Sequence, residues 1–284
     1  MIGRLRDALF FRPPEAAAEV PGAGALTFAL HAGGDRWISD VIRRGEIFDP
    51  QILAVLRDLI VPGTTLIDVG ANIGWFSVIG SRLVGEAGHV LAVEPEPRNL
   101  RLLRRNVARN RCRNVTVLPW AAGAEARVAR LFRSDDNQGD HRLEVASERA
   151  DSVAVDVRPL DAVPARWAAN VGAIKMDTQG SEAAVLRGMA NLLAANPLVR
   201  VVLEFWPYGL LQCGSSTREL ADLLGRRNGA LWLLRHDGAA EETSPDGLCE
   251  AAATTFAPAT QAHADLVWLA ADDREAAAAM RRRR

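Results

Sequence analysis

A short stretch with two glycines, Asp68-Val69-Gly70-Ala71-Asn72-Ile73-Gly74, has the residue types best suited to holding a ligand. It lies where a predicted buried strand, residues 65–70, meets a predicted helix, residues 74–83. Ligands of open α/β sheets bind at the carboxyl ends of strands. Glycines there let the backbone approach a ligand, and the start of a helix offers free amide donors. We therefore expect four residues of this stretch to serve a cofactor site: Asp68, Gly70, Asn72 and Gly74.

The spacing of the glycines within this loop distinguishes between two kinds of nucleotide ligand. Dinucleotide-binding loops follow the pattern GxGxxG, but Asn72 and Trp75 stand where its second and third glycines would fall. This departure disfavours a nicotinamide-dependent oxidoreductase, because a pyrophosphate needs the open backbone that those glycines provide. A ligand without phosphates, with an adenosine and an amino acid end, is more consistent. S-adenosylmethionine is such a ligand.

An acidic residue, Glu94, closes the next predicted strand, residues 89–94. A carboxylate in this position can accept hydrogen bonds from both hydroxyls of a ribose. Because Glu94 follows the glycine loop at a suitable offset, we expect it to bind the cofactor, although a glutamate facing water is the alternative. We expect Asp68 either to orient the loop by accepting hydrogen bonds from the loop amides or to contact the ammonium group of the cofactor through a water molecule.

Three other residues are candidates for proton transfer. Asp177 follows a predicted strand, residues 172–176, and could accept a proton or hold a divalent cation that activates an acceptor. A structural role, bonding the amides of the next turn, is the alternative. His141 follows a polar turn at residues 134–140, and histidine titrates near neutral pH and suits a general base; a surface histidine, the more frequent outcome in a turn, is the alternative. Glu182 begins a predicted helix, where a carboxylate either complements the helix dipole or faces the site.

Polar and aromatic side chains around the end of another predicted strand, residues 199–205, are candidates for binding an acceptor. They are Glu204, Trp206 and Tyr208. Aromatic rings there can stack on a sugar or line an apolar pocket, and core packing of Trp206 is the alternative.

The order of the predicted elements indicates an α/β fold. Short apolar runs alternate with helical stretches, a pattern typical of a mostly parallel sheet covered on both faces. Predicted strands of the sheet lie at residues 65–70, 89–94, 115–118, 172–176, 199–205, 230–234 and 266–269. Predicted helices lie at residues 51–60, 74–83, 98–110 and 181–195.

Three segments stand apart from this pattern. Residues 1–60 form a lead-in with a strand at residues 26–31 and a helix, ahead of a main domain at residues 61–271. Residues 127–160 predict a β-hairpin insertion that could overhang the site. Residues 272–284 end in four arginines and are expected to be a flexible basic tail.

Composition restricts the partners and the compartment. The chain of 284 residues has 34 Lys and Arg against 35 Asp and Glu, so its net charge of −1 gives no general attraction to nucleic acid or anionic membranes. Three widely spaced cysteines argue against a disulfide framework or a structural zinc site. The apolar stretch at residues 8–11 is too short for a signal peptide, and no apolar run reaches the roughly 20 residues that cross a bilayer. We expect a cytoplasmic protein, and the sequence leaves metal dependence and oligomeric state open.

Three motifs together resemble the FkbM family of methyltransferases. They are the glycine loop with Glu94-Pro95, the segment Ile174-Lys175-Met176-Asp177-Thr178-Gln179-Gly180-Ser181-Glu182, and the segment Leu203-Glu204-Phe205-Trp206-Pro207. The resemblance covers roughly residues 45–210.

The resemblance implies a class I methyltransferase fold, a Rossmann-like sandwich with a mostly parallel seven-stranded sheet, helices on both faces and the β-hairpin insertion. It implies S-adenosylmethionine as cofactor and O-methylation of a small-molecule acceptor such as a sugar, a lipid or a secondary metabolite. It also implies that Trp120 and Ala121, after the third strand, contact the adenine. An N-methyltransferase and a non-catalytic binding protein of the same fold are the alternatives.

Overall fold

The computed structural model describes residues 12–33, 35–134, 138–143, 151–257 and 261–283. The apolar stretch considered above as a signal peptide, residues 8–11, lies outside the described residues, as do residues 135–137 of the polar turn.

Within the described residues the chain forms fourteen strands and eleven α-helices. The strands are β1 (Glu15–Val20), β2 (Gly24–Ala29), β3 (Thr65–Val69), β4 (His89–Val93), β5 (Val115–Leu118), β6 (Ala121–Ala122), β7 (Arg127–Phe132), β8 (Arg142–Leu143), β9 (Ser152–Arg158), β10 (Val171–Met176), β11 (Arg200–Phe205), β12 (Gly229–Leu234), β13 (Ala240–Thr243) and β14 (Ala264–Ala270). The helices are α1 (Ser39–Arg43), α2 (Pro50–Leu59), α3 (Trp75–Leu83), α4 (Pro97–Arg109), α5 (Ala165–Ala168), α6 (Glu182–Arg187), α7 (Ala190–Ala195), α8 (Pro207–Gln212), α9 (Thr217–Gly225), α10 (Pro245–Ala253) and α11 (Arg274–Arg281).

The main sheet has eight strands in the order β13-β12-β14-β11-β10-β3-β4-β5. The five from β11 to β5 are parallel, whereas β14 is antiparallel to both of its neighbours and β13 is antiparallel to β12. The predicted mostly parallel sheet is therefore confirmed. Strand β13 adds an eighth strand that the sequence did not predict, because only Ala240 of its four residues is buried and the apolar signal is weak.

Two hydrophobic cores lie on opposite faces of this sheet. Leu66 of β3 packs into one core with Ile79 of α3, and its neighbour Ile67 packs into the other with Val185 of α6. All five residues of β3 are buried, because strands covered on both faces need continuous apolar runs. Helices on both faces are thus confirmed.

The predicted helix at residues 181–195 is wrong, because two short helices, α6 and α7, replace it. A Cβ atom on Gly188 would lie 1.9 Å from the Gly123 carbonyl oxygen, so this backbone packs directly on the chain that enters the insertion. The Asp161 carboxylate accepts hydrogen bonds from the amides of Asn191 and Leu192 and so caps the start of α7. A tertiary contact therefore interrupts a helical sequence pattern.

The predicted β-hairpin insertion is confirmed. Strands β7 and β9 pair antiparallel, and β8 and β6 extend them to a second sheet in the order β6-β9-β7-β8. This second sheet follows the carboxyl end of β5 and precedes β10 in the chain.

The tail predicted to be flexible differs from the structure, because residues 274–281 form helix α11. The Asp273 side chain accepts a hydrogen bond from the Ala276 amide and caps this helix, and Met280 is fully buried against the core. The alanine-rich face gives α11 a small apolar surface that packs closely. None of the described helices has the length and apolar character needed to span a membrane.

Candidate active site

A cavity of about 660 Å³ opens at the carboxyl ends of the parallel strands. It lies beside the point where strand order reverses between β3 and β10, the usual ligand position in open α/β sheets. Many of the residues singled out in the sequence line it: Gly70, Asn72, Glu94, Ala121, His141, Asp177, Glu204 and Trp206. Asp68, Gly74, Trp120, Glu182 and Tyr208 lie behind this lining.

The glycine loop is held in a conformation that its sequence makes possible. Gly70 and Gly74 have φ of +78° and +88°, in the left-handed region that glycine adopts cheaply. A Cβ atom on Gly70 would lie 1.9 Å from the Asp177 carbonyl oxygen, so the ends of β3 and β10 meet without room for a side chain. The amides of Gly70 and Ala71 both donate to the Val93 carbonyl, which ties the loop to the end of β4.

Glu94 lies directly beneath this loop. Its two carboxylate oxygens accept hydrogen bonds from the amides of Asn72 and Glu96, each at 2.8 Å. Burial raises the pKa of Glu94 to about 7, against the lowering effect of these amides. A carboxylate has about four acceptor positions, and the Asn99 side chain also hydrogen-bonds to Glu94, so one position is left for a hydroxyl of a ribose in the cavity.

Asp68 is fully buried under the loop, and its position depends on a lysine that the sequence analysis did not single out as a site residue. Asp68 Oδ2 accepts a hydrogen bond from Ser77 Oγ at 2.5 Å, and Oδ1 lies 3.8 Å from Lys175 Nζ. Lys175 Nζ also lies 3.5 Å from Asp177 Oδ2. Burial lowers the pKa of Lys175, but Asp177 and Asp68 raise it more, so the ammonium stays charged. A lysine within the apolar run of a central strand was the signal that could have identified it.

Asp177 sits at the cavity wall with both oxygens engaged. Oδ1 accepts a hydrogen bond from Gln179 Nε2 at 2.7 Å, and Oδ2 faces Lys175. The same Gln179 amide donates to the Glu204 carboxylate at 3.1 and 3.3 Å. Burial, with Asp177 and Glu182 nearby, raises the pKa of Glu204 well above its ordinary value. This amide therefore holds two carboxyl groups side by side in the cavity.

Glu182 supports the turn that carries Gln179. It is fully buried, and Oε1 accepts hydrogen bonds from the backbone amide and the hydroxyl of Thr178, both at 2.9 Å. These contacts place Glu182 behind the cavity wall.

His141 faces the cavity as a neutral hydrogen-bond donor. Its Nδ1 accepts a hydrogen bond from the Ser134 amide at 3.2 Å, which assigns the ring proton to Nε2. Burial lowers the pKa of His141 to about 4. Nε2 is buried and has no hydrogen-bond partner among the described residues. A group of this kind donates to a ligand more readily than it removes a proton at neutral pH.

Two contacts fasten residues 138–143 of the insertion over the cavity. The Gln138 carbonyl accepts hydrogen bonds from the side-chain amides of Asn72, at 3.2 Å, and Asn99, at 3.1 Å. At the other end, the Arg142 guanidinium lies 4.4 Å from the centre of the Trp206 ring. The residues between these contacts line the cavity.

Trp206 mainly packs against neighbouring side chains. It is 7% exposed, and its indole N–H donates to the Gln261 carbonyl at 3.1 Å. Tyr208 packs against it with ring centres 5.5 Å apart. Trp120 is also buried, while Ala121 and Ala122 form a flat part of the wall.

Several cavity residues come from segments in which the sequence showed no motif. Trp37, Phe48 and Asp49 come from the lead-in, and His236 and His263 come from the loops that flank β13 and α10. The two histidine rings contact each other, with centres 4.8 Å apart. Because these residues are scattered along the chain, no local spacing could have revealed them. Within the ranges that the structure describes, no group of three or more His, Cys, Asp or Glu side chains is placed to hold a metal ion.

The strand order, with antiparallel β14 between β11 and β12, is that of the class I, Rossmann-like methyltransferase fold. The family model for the methyltransferase FkbM domain matches residues 68–229, more than half of the 284 residues. The chain belongs to the FkbM methyltransferase family, as its motifs predicted, and S-adenosylmethionine is the cofactor of that family.

Sequence and structure comparisons find proteins similar to parts of this chain, among them the following three proteins. A protein-L-isoaspartate O-methyltransferase of Methanothrix thermoacetophila is 35% identical over 123 residues, which are 42% of this chain and 58% of that protein. A probable cobalt-precorrin-6B C(15)-methyltransferase (decarboxylating) of Sulfolobus acidocaldarius is 37% identical over 72 residues, 25% of this chain and 38% of that protein. The solved structure of an FkbM methyltransferase of Methylobacillus flagellatus is 19% identical, with a TM-score of 0.44, and the match covers 82% of this chain and 61% of that one. The chain thus spans less than two thirds of the length of these curated relatives.

Proposed function

We propose that this protein transfers the methyl group of S-adenosylmethionine to a hydroxyl group of a small-molecule acceptor, such as a sugar, a lipid or a secondary metabolite. The observation that carries the proposal is that one cavity joins the glycine loop and Glu94 to Asp177. The first two suit an adenosine, and Asp177 adds a carboxylate where the acceptor would enter.

The residues present fit the cofactor. Glu94 has an acceptor position for a ribose hydroxyl, and Ala121 leaves space for a flat base beside it. His141 offers a buried N–H that lacks a partner among the described residues and can donate to the nucleoside. The bound cofactor supplies a methyl group on a positively charged sulfur.

The protein's own contribution is to position the acceptor and to exclude water. A methyl transfer requires the acceptor oxygen, the methyl carbon and the sulfur to lie in line. The charge on sulfur is lost in the transition state, so a closed cavity favours the reaction. Residues 138–143, fastened at Gln138 and Arg142, cover the cavity in this way. Asp177 accepts the hydrogen bond of the acceptor hydroxyl and orients it.

The transfer itself is tested with S-adenosylmethionine labelled in the methyl group and a panel of hydroxylated acceptors, including methyl glycosides. We expect label to appear on a hydroxyl oxygen. In Asp177→Asn, turnover should be abolished while the affinity for S-adenosylhomocysteine stays within a few-fold, because the amide keeps the shape of the site without its charge. Transfer to an amine only, or full activity of Asp177→Asn, would contradict the proposal.

A further inference from the structure

Part of the cavity wall is built by segments outside the matched domain. Trp37, Phe48 and Asp49 precede residue 68, and His236 and His263 follow residue 229. The cofactor motifs lie inside the matched domain. The segments outside it are therefore where a group that handles the acceptor would be found.

Asp49 is the acidic member of these added residues, and its backbone is unusual. It occupies the N-cap position of α2 with φ of 44° and ψ of 61°, in the left-handed region. An N-cap aspartate normally has extended backbone and accepts a hydrogen bond from the second or third helical amide. Within the described part of the chain, the Asp49 side chain caps no amide of α2. Asp49 lines the cavity, and its carboxyl group is hydrogen-bonded to the Gln51 side chain.

The charged groups near Asp49 include Asp177 and Lys175, which also line the cavity. Burial and the nearby Asp177 raise the pKa of Asp49 to about 6, against the lowering effects of Lys175 and of the hydrogen bond to Gln51. Asp265 is a further acidic neighbour, because burial and then the charge of Asp49 raise the pKa of Asp265 well above its ordinary value. A base works best when its pKa lies near the working pH. Asp177, in contrast, already receives Gln179 Nε2 and Lys175 Nζ on its two oxygens.

We propose that Asp49 is the general base of the methyl transfer, while Asp177 orients the acceptor. The acceptor oxygen forms a bond to the methyl carbon, and the carbon–sulfur bond breaks with its electron pair going to sulfur. The hydroxyl proton moves to the Asp49 carboxylate and leaves to solvent after the product departs. This inference rests on the proposed function, since it assigns a residue to the same site.

A test that needs no acceptor compares two cofactor analogues by calorimetry. S-adenosylhomocysteine has a neutral sulfur, whereas sinefungin carries an ammonium group where the methyl group would be. If Asp49 faces the reacting methyl group, the wild type should prefer sinefungin at pH 8. In Asp49→Asn that preference should fall by at least about tenfold, because a charge-assisted hydrogen bond is lost, while the affinity for S-adenosylhomocysteine should change little. Asp58→Asn is the matched control, since Asp58 lies on the same helix and pairs with Arg283 at the surface.

The pH dependence of analogue binding by the wild type is a second measurement, and it does not depend on whether a variant folds. The preference for sinefungin should be larger at pH 8 than at pH 5, because a group with a pKa of about 6 is ionised only at the higher value. An unchanged preference in folded Asp49→Asn, or a wild-type preference that does not rise with pH, overturns the assignment of Asp49. Failure of the wild type to bind either analogue overturns the proposed function itself, and this inference with it.

Discussion

At the scale of single residues, Glu94 has two tasks that reinforce each other. Its carboxylate fixes the glycine loop through the amides of Asn72 and Glu96 and keeps an acceptor position for a ribose. The loop and the ribose site are thus held by one buried group. A change at this residue should therefore affect binding more than an equal change at the surface.

Glu94→Ala should weaken the binding of S-adenosylhomocysteine by about 1–3 kcal/mol, the usual cost of losing hydrogen bonds to a charged group. Calorimetric titration measures this directly. Glu86→Ala, at an exposed position beyond α3, is the control and should bind as the wild type does. Equal affinities of Glu94→Ala and the wild type would refute a role in holding the ribose.

The raised pKa of Glu94 also predicts how the stability of the free protein depends on pH. The folded pKa of about 7 lies above the unfolded value of 4.5, so the folded state binds this proton more tightly. The resulting stabilisation is present below pH 4.5 and is lost as pH rises to 7, by on the order of 3 kcal/mol. Urea unfolding of the free protein at pH 5 and pH 8 should show that the free energy of unfolding falls more between these pH values in the wild type than in Glu94→Gln. Equal losses would show that Glu94 titrates normally.

At the scale of elements, the junction of β3 and β10 depends on one glycine. Gly70→Ala should destabilise the protein by several kcal/mol and abolish cofactor binding, because its Cβ would collide with the Asp177 carbonyl. Gly85 has a similar φ of +71° but open space around it, so Gly85→Ala should cost only about 1–2 kcal/mol of left-handed backbone strain. Denaturant unfolding of both variants measures the difference. Similar losses would mean that the close approach at Gly70 is unimportant.

The elements also show what the sequence could predict. The strands of the sheet core, such as β3, β10 and β11, were predictable because burial on both faces requires apolar runs. The break between α6 and α7 was not, because it arises from the contact of Gly188 with Gly123, which is distant in sequence. The residues of the site likewise include some that the sequence could predict and some that it could not. The motifs at Gly70, Glu94 and Asp177 are local patterns, whereas the cavity residues of the lead-in reach the site only through tertiary packing.

At the scale of the whole molecule, a buried ion pair ties helices α2 and α11 to the sheet. Arg200 of β11 donates to both carboxylate oxygens of Asp273, at 2.6 and 3.1 Å, and to the Leu59 carbonyl at the end of α2. Asp273 in turn caps α11. The helix that carries Asp49 at its start is thus anchored at its end through Arg200.

Asp273→Asn should therefore lower the free energy of unfolding by about 3–5 kcal/mol, the usual cost of leaving a buried charge without its partner. Urea unfolding measures the change. Asp246→Asn, which breaks an exposed pair with Arg218, should leave the stability unchanged within error. A small effect at Asp273 would show that water or other groups compensate Arg200.

The most direct test of the central claim is calorimetric titration of the purified protein with S-adenosylhomocysteine, with NAD as the control ligand. The glycine loop and Glu94 predict saturable binding of S-adenosylhomocysteine to one site and no binding of NAD. Binding of NAD, or no binding of S-adenosylhomocysteine, would contradict the assignment of this cavity to S-adenosylmethionine.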